Sequence, residues 1–221
     1  GEATPAWITR LPDGSALATG GTSAAGFNNS TGAVLATELW NPASETWSTL
    51  AAMAVPRLYH SVALLLPDGR VLVAGGGHPS DSEHGDTDHF DAQTFSPPYL
   101  FRGPRPTIVA APAGVKLGEA FQLATGPEPA VASVTWVRLG SVTHGFNMNQ
   151  RFLHLASTAT AQGRSVLAPS DPRLAPPGHY LMFALTADGV PSLGKIVLLA
   201  GGLFRDGFES GSTAAWSAAQ Y

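Results

Sequence analysis

Short apolar runs alternating with polar residues, each cut off by Gly, Pro or Asp, set the rhythm of the chain. In the second half they predict strands at 120–124, 131–139, 151–155, 164–168, 179–186 and 195–199. Within 131–139, Val131, Ser133, Thr135 and Val137 would face one way and Ala132, Val134 and Trp136 the other. That density of strands, with turns such as Ala187-Asp188-Gly189, predicts an immunoglobulin-like sandwich. Composition agrees: 25 Gly and 18 Pro are spread along the 221 residues, which suits many turns rather than long helices.

The first half repeats itself. Leu11-Pro12-Asp13-Gly14 returns as Leu66-Pro67-Asp68-Gly69, and at the same offset Gly20-Gly21 returns as Gly75-Gly76. Each copy reads as strand, turn, strand and glycine pair, because Pro fixes one backbone angle of the turn and Gly supplies the positive one. Between the copies, Leu39-Trp40-Asn41-Pro42 leads to Trp47. A glycine pair followed by spaced aromatics, at a period near 50, is the kelch signature of a β-propeller blade. A closed ring takes about four to eight blades. The expectation is therefore an all-β chain: a partial kelch β-propeller of about two blades at 1–102, an immunoglobulin-like sandwich at 103–199 and a flexible Gly/Ser/Ala-rich tail at 200–221. The opening strand of the first copy, 5–10, is predicted to be weak, and the proline-rich stretch 97–107 reads as a linker.

Charge and cysteine content narrow the chemistry. Twelve Lys and Arg against 16 Asp and Glu leave a net charge of -4 without a basic stripe, so no nucleic-acid partner is expected. No apolar run approaches about 18 residues, so no membrane span is expected. The count of cysteines is zero, which excludes disulfides, thiolate metal sites and thiol nucleophiles. Gly1 stands without a Met or a signal-like segment before it, so either processing removed the front or the chain is a piece of something longer.

The strongest chemical cluster is Arg57-Leu58-Tyr59-His60-Ser61, just ahead of the second hairpin. Neighbours on a strand point to opposite faces, so Tyr59 and His60 can share a metal only if the backbone turns there. A phenol and an imidazole together suit Cu(II); a buried structural pair is the alternative. A second histidine, His144, lies in 141–151, where small neighbours would let a sandwich loop reach toward the blades. His78, His84 and His89, spaced among Asp81, Glu83, Asp86 and Asp88, read as a solvated loop with room for adventitious copper or zinc. His154 and His179 read as structural. Gly75-Gly76-Gly77 lacks the Lys and helix of a phosphate loop, and Ser61 lacks a nucleophile elbow.

Tyr-His ahead of the second Leu-Pro-Asp-Gly turn, the run from Phe90 to Leu100, Thr143-His144 ahead of Asn149-Gln150-Arg151, and Pro176-Pro177-Gly178-His179-Tyr180 followed by Gly189-Val190-Pro191-Ser192 together resemble the galactose oxidase and glyoxal oxidase family of copper radical oxidases. The resemblance runs in order from about residue 11 to 199. It implies the C-terminal portion of a secreted protein, with the sandwich at 103–199 an early-set domain. It implies a copper bound by Tyr59, His60 and His144, with Tyr59 taking the proton of a primary alcohol and Phe27 forming an aromatic wall of the substrate pocket. It also implies a small alcohol, aldehyde or carbohydrate substrate, oxidised by O2 with release of H2O2. The family's second redox centre, a tyrosine cross-linked to cysteine, cannot form within residues 1–221. Copper alone accepts one electron, so the isolated chain is expected to be inactive, with further blades supplied by a longer or a second chain. The competing expectation is a non-catalytic carbohydrate-binding or adhesion module on the same scaffold.

Overall fold

A computed structural model describes residues 6–77, 88–143 and 145–201. The first half forms two antiparallel sheets whose strands follow chain order. One contains β1 (Trp7–Arg10), β2 (Ala16–Thr19), β3 (Ala36–Asn41) and β4 (Thr46–Ala52); the other contains β5 (Val62–Leu65), β6 (Val71–Ala74) and β7 (Ala92–Phe95). The repeat holds residue for residue: Trp7 pairs with Thr19 as Val62 pairs with Ala74, and Arg10 pairs with Ala16 as Leu65 pairs with Val71. The spacing of Trp40 and Trp47 also resolves, since they are cross-strand partners in the β3–β4 hairpin.

The strand predicted to be weak is regular, with every residue of β1 paired to β2. Burial explains it. Trp7 packs with Leu17, Ala63, Val71 and Val73 between the two sheets, and its indole N–H donates to Ser61 Oγ at 2.9 Å.

The second half is a sandwich. One sheet is ordered β15 (Ser157–Thr160), β16 (Gly163–Leu167), β10 (Ala120–Thr125), β8 (Ile108–Ala110). The other is ordered β14 (Phe152–Leu155), β11 (Ser133–Arg138), β17 (Gly178–Leu185), β18 (Lys195–Ala200), β9 (Gly114–Lys116), with β18 and β9 parallel. Their facing sides bury Phe121, Leu123, Val134, Trp136, Tyr180 and Met182. The fold class is thus all-β, blade-like sheets followed by a sandwich. Among the described residues no helix is long and apolar enough to cross a membrane.

The alternation expected at 131–139 holds from Ser133, but both faces are buried. Val134 and Trp136 enter the sandwich core; Val137 joins Leu181, Phe183 and Leu185 in a second cluster that takes in Leu65 of β5. The outer face of this sheet is covered by the blades.

Both Leu-Pro-Asp-Gly turns dock on the sandwich. The Thr135 hydroxyl donates to the Pro12 carbonyl at 2.8 Å, and the Gly194 N–H donates to the Pro67 carbonyl at 2.7 Å. The proline-rich stretch is a fastened joint rather than a loose linker. A 3-10 turn at Pro98–Phe101 buries Tyr99, whose hydroxyl donates to the Gly69 carbonyl. The Arg105 guanidinium donates to the carbonyls of Asp68, Pro191 and Ser192 at 2.7, 2.8 and 2.7 Å.

Between β11 and β14 the chain leaves the sandwich and runs along the innermost strands of the blades. The Arg10 N–H donates to Gln150 Oε1 at 3.0 Å, and Gly140 lies against Leu64. The short strands β12 (Val142–Thr143) and β13 (Phe146–Asn147) pair with each other, β12 contacts β5, and Val142 packs into the blade core.

Candidate metal centre

Ahead of β5 the chain makes a tight turn in which the Ser61 N–H donates to the Leu58 carbonyl at 3.1 Å. Tyr59 and His60 are its central residues, and His60 takes φ +63, in the left-handed region. Glycine is at home there; histidine enters it at a cost of roughly 1–3 kcal/mol when the surroundings hold it. The left-handed residue has a chemical effect. Tyr59 and His60, neighbours whose side chains would diverge on a strand, have ring centroids 3.8 Å apart with planes inclined by 30°. This is the backbone turn the sequence reading required for the two to act on one ion.

The glycine pairs of the repeat support this turn from both sides. The Gly21 N–H donates to the Arg57 carbonyl at 2.9 Å, and a Cβ on Gly20 would stand 2.4 Å from that same oxygen. On the other side the Gly77 N–H donates to the Tyr59 carbonyl at 3.0 Å, and a Cβ on Gly75 would stand 3.2 Å from the His60 carbonyl. The Ser61 hydroxyl, which receives the Trp7 indole, donates to the Leu58 carbonyl at 2.7 Å.

Phe27 joins the pair. Its ring centroid lies 4.6 Å from that of Tyr59, with planes inclined by 59°, and the side chain is 49% exposed. Its loop is stiff: the Thr22 hydroxyl donates to the Asn29 carbonyl at 2.7 Å, while Asn29 Oδ1 accepts from Thr31 N–H at 3.1 Å. Three of the residues singled out in the sequence, Phe27, Tyr59 and His60, therefore meet at one place.

His144 lies outside the described residues, as do His78 and His84. The pairs that flank position 144, Val142–Thr143 and Phe146–Asn147, belong to the excursion set against β5, the strand that begins just after His60. His154 and His179 sit exposed on the sandwich, away from this turn. Among the described residues no three His, Cys, Asp or Glu side chains gather in a cluster.

Arg57 and Asp91 stood in the sequence only as members of longer runs, with no role of their own. The Arg57 side chain is fully buried; its Nη2 donates to Asp91 Oδ2 at 2.6 Å, and its Nη1 donates to the Gly75 carbonyl at 2.8 Å and the Asp91 carbonyl at 3.2 Å. The hydrogen bond from Arg57 holds the Asp91 carboxyl below the usual carboxylate range, against a smaller opposing effect of desolvation. His89 Nδ1 stands 4.0 Å from Asp91 Oδ1. A lone arginine within an apolar stretch was the only signal available.

Comparison with known proteins reaches the same halves. The family described as "Glyoxal oxidase N-terminus" matches residues 7–99, and "Galactose oxidase-like, Early set domain" matches residues 105–199. A galactose oxidase of Gibberella zeae is 35% identical over 195 residues, covering 85% of this chain and 28% of that protein. An aldehyde oxidase of Vitis pseudoreticulata is 36% identical over 174 residues, covering 72% of this chain and 33% of that protein. The chain thus spans about a third or less of the length of these curated relatives. Among solved structures, a fungal alcohol oxidase of the AA5 family in complex with copper superimposes with a TM-score of 0.79 at 30% identity, covering 88% of this chain and 42% of that one.

Proposed function

Because the chain belongs to the galactose oxidase and glyoxal oxidase-like family, we propose that it carries the copper-holding part of an oxidase acting on a primary alcohol or an aldehyde. The overall conversion is RCH2OH + O2 to RCHO + H2O2, or the corresponding step from aldehyde to acid. The observation that carries this reading is the Tyr59–His60 turn, with its rings 3.8 Å apart.

The donor set fits the ion. A phenol oxygen and an imidazole nitrogen presented together suit Cu(II), and a second imidazole would complete a set that tetragonal copper accepts. Tyr59, His60 and His144 would hold it. Copper, when bound, supplies a one-electron acceptor and a Lewis acid at the substrate oxygen. Tyr59 would take the proton of the substrate hydroxyl as the phenolate that holds copper, becoming the neutral phenol, a role open to a tyrosinate within hydrogen-bond reach. The half-exposed ring of Phe27, packed on Tyr59, gives the substrate an apolar wall.

Residues 1–221 hold no cysteine, so a tyrosine–cysteine partner for the second electron is not among them. The chain alone therefore binds copper without turning over alcohols, and residues from a longer or second chain supply the remainder. The same lack of cysteine supports a second reading, a non-catalytic carbohydrate-binding or adhesion module. On this reading the blades at 1–102 are kelch repeats, 103–199 is an early-set sandwich of immunoglobulin type, and the protein acts outside the cell; of the stretch 200–221, expected as a tail, residues 202–221 lie outside the described residues.

Titration of the full chain with Cu(II), followed by electron paramagnetic resonance, tests the site. One tight site is expected, lost in His144→Ala and weakened in Tyr59→Phe; unchanged binding in both would refute it. With copper and primary alcohols the chain is expected to make no peroxide, and turnover would show that a second redox partner is not required.

A further inference from the structure

A histidine held at φ +63 needs surroundings that leave it no alternative. The residue placed to do this is Arg57, which immediately precedes the turn. Its carbonyl receives the Gly21 N–H of the first hairpin, while its guanidinium reaches the Gly75 carbonyl of the second hairpin and Asp91 ahead of β7. One residue thus ties together three chain segments around the Tyr59–His60 turn, one through its carbonyl and two through its side chain.

Pure stability gives little reason for such an arrangement. The arginine is fully buried, Asp91 is the carboxylate it meets, and its Nε has no acceptor. Asp91 itself is about half exposed, so water screens the pair, and a screened ion pair adds little to stability while the buried guanidinium still gives up its hydration. What the pair provides is geometry, because a planar fork fixes both the position and the orientation of the chain that carries it.

We propose that the Arg57–Asp91 pair is a positioning device that sets the mutual orientation of the Tyr59 and His60 rings. The proposal rests on the copper reading for its use, and on the coordinates alone for its geometry. Arg57 and Asp91 touch neither metal nor substrate; they act through the backbone of the turn.

The test uses the full chain, first without metal. Proton NMR on the wild type should show nuclear Overhauser contacts between the ring protons of Tyr59 and His60. Two variants follow: Asp91→Asn, which keeps the size and the main-chain carbonyl, and Arg57→Lys, which keeps the charge but not the fork. Both are expected to lose those contacts while the sandwich core resonances persist, and Asp91→Glu is expected to restore them in part. Cu(II) binding by Asp91→Asn should weaken by about 10- to 100-fold, the range typical of residues that orient metal ligands. A variant that unsettles the sandwich core instead, Leu123→Ala, should leave the ring contacts and the copper affinity unchanged. Ring contacts retained in either folded variant would overturn the proposal. So would the failure of both variants to fold, which would make the pair a determinant of folding and nothing more. Lost contacts in a chain whose wild type binds no copper would uphold the positioning role and reject the copper reading.

Discussion

The two Leu-Pro-Asp-Gly hairpins are nearly the same object. They share strand register, and Gly14 and Gly69 stand at φ +86 and +82. Asp13 and Asp68 each accept the N–H two residues on at 3.0 Å. Both turns meet the sandwich, and both glycine pairs, at the opposite end of the hairpins, meet the turn at Arg57–Ser61. Only the second hairpin is preceded by Tyr-His, and only its turn is gripped by Arg105. The repeat supplies a scaffold with two well-defined ends; the proposed metal site rests on the unrepeated residues attached to one of them.

The sharpest way to break this comparison is at the glycines. Gly20→Ala would force a Cβ to 2.4 Å from a backbone oxygen at φ +72, whereas Gly75→Ala meets its nearest atom at 3.2 Å and φ +69. Strain and overpacking together should destabilise Gly20→Ala by roughly 3 kcal/mol, and the matching change at Gly75 by about half as much. Urea unfolding of the two variants measures the gap, and equal losses would mean that the pairs do equivalent work.

At the other end the asymmetry reverses. Arg105→Ala removes three hydrogen bonds that join the second turn, at Asp68, to the sandwich, at Pro191 and Ser192, and Thr135→Val removes one at the first turn. The expected losses are about 2 and about 1 kcal/mol. Thermal unfolding should rank them in that order.

The smallest effect is electrostatic. Burial raises the Asp68 carboxyl, but hydrogen bonds from the Arg70 N–H and guanidinium, together with the charges of Arg70 and Arg105, outweigh it and leave the group below its ordinary range. A depressed carboxylate contributes its stability above the unfolded value of about 3.9 and loses it as pH falls through the lower folded value. Wild type and Asp68→Asn should therefore differ modestly in unfolding midpoint near pH 5 and converge toward pH 2. A gap that widens in acid would contradict the arginine contacts at this turn.

The blades were legible because their signal is local. Pro and Gly at fixed offsets dictate a turn, and the turn dictates the register of the strands beside it. The sandwich was legible as alternation, yet Thr135 and Val137 gave no sign that their face is buried too, because the blade residues that cover it, Pro12 and Leu65 among them, lie far back in the chain. The very short strands at Val142–Thr143 and Phe146–Asn147 carry no alternation to read. At the site, the sequence supplied the residue types and a condition, that the backbone must turn between Tyr59 and His60. It could not announce a left-handed histidine, nor a salt bridge joining Arg57 to a residue 34 positions away. Tyr99 and Arg105 were obscured by the prolines around them.

Position 60 separates two demands that ordinarily coincide in a protein. Folding by itself would favour a residue without a β-carbon at that backbone angle. Under the proposed function a ring nitrogen there serves the metal rather than the fold. Sequence optimisation guided by thermal tolerance alone would accordingly erase His60 early and report the result as an improvement.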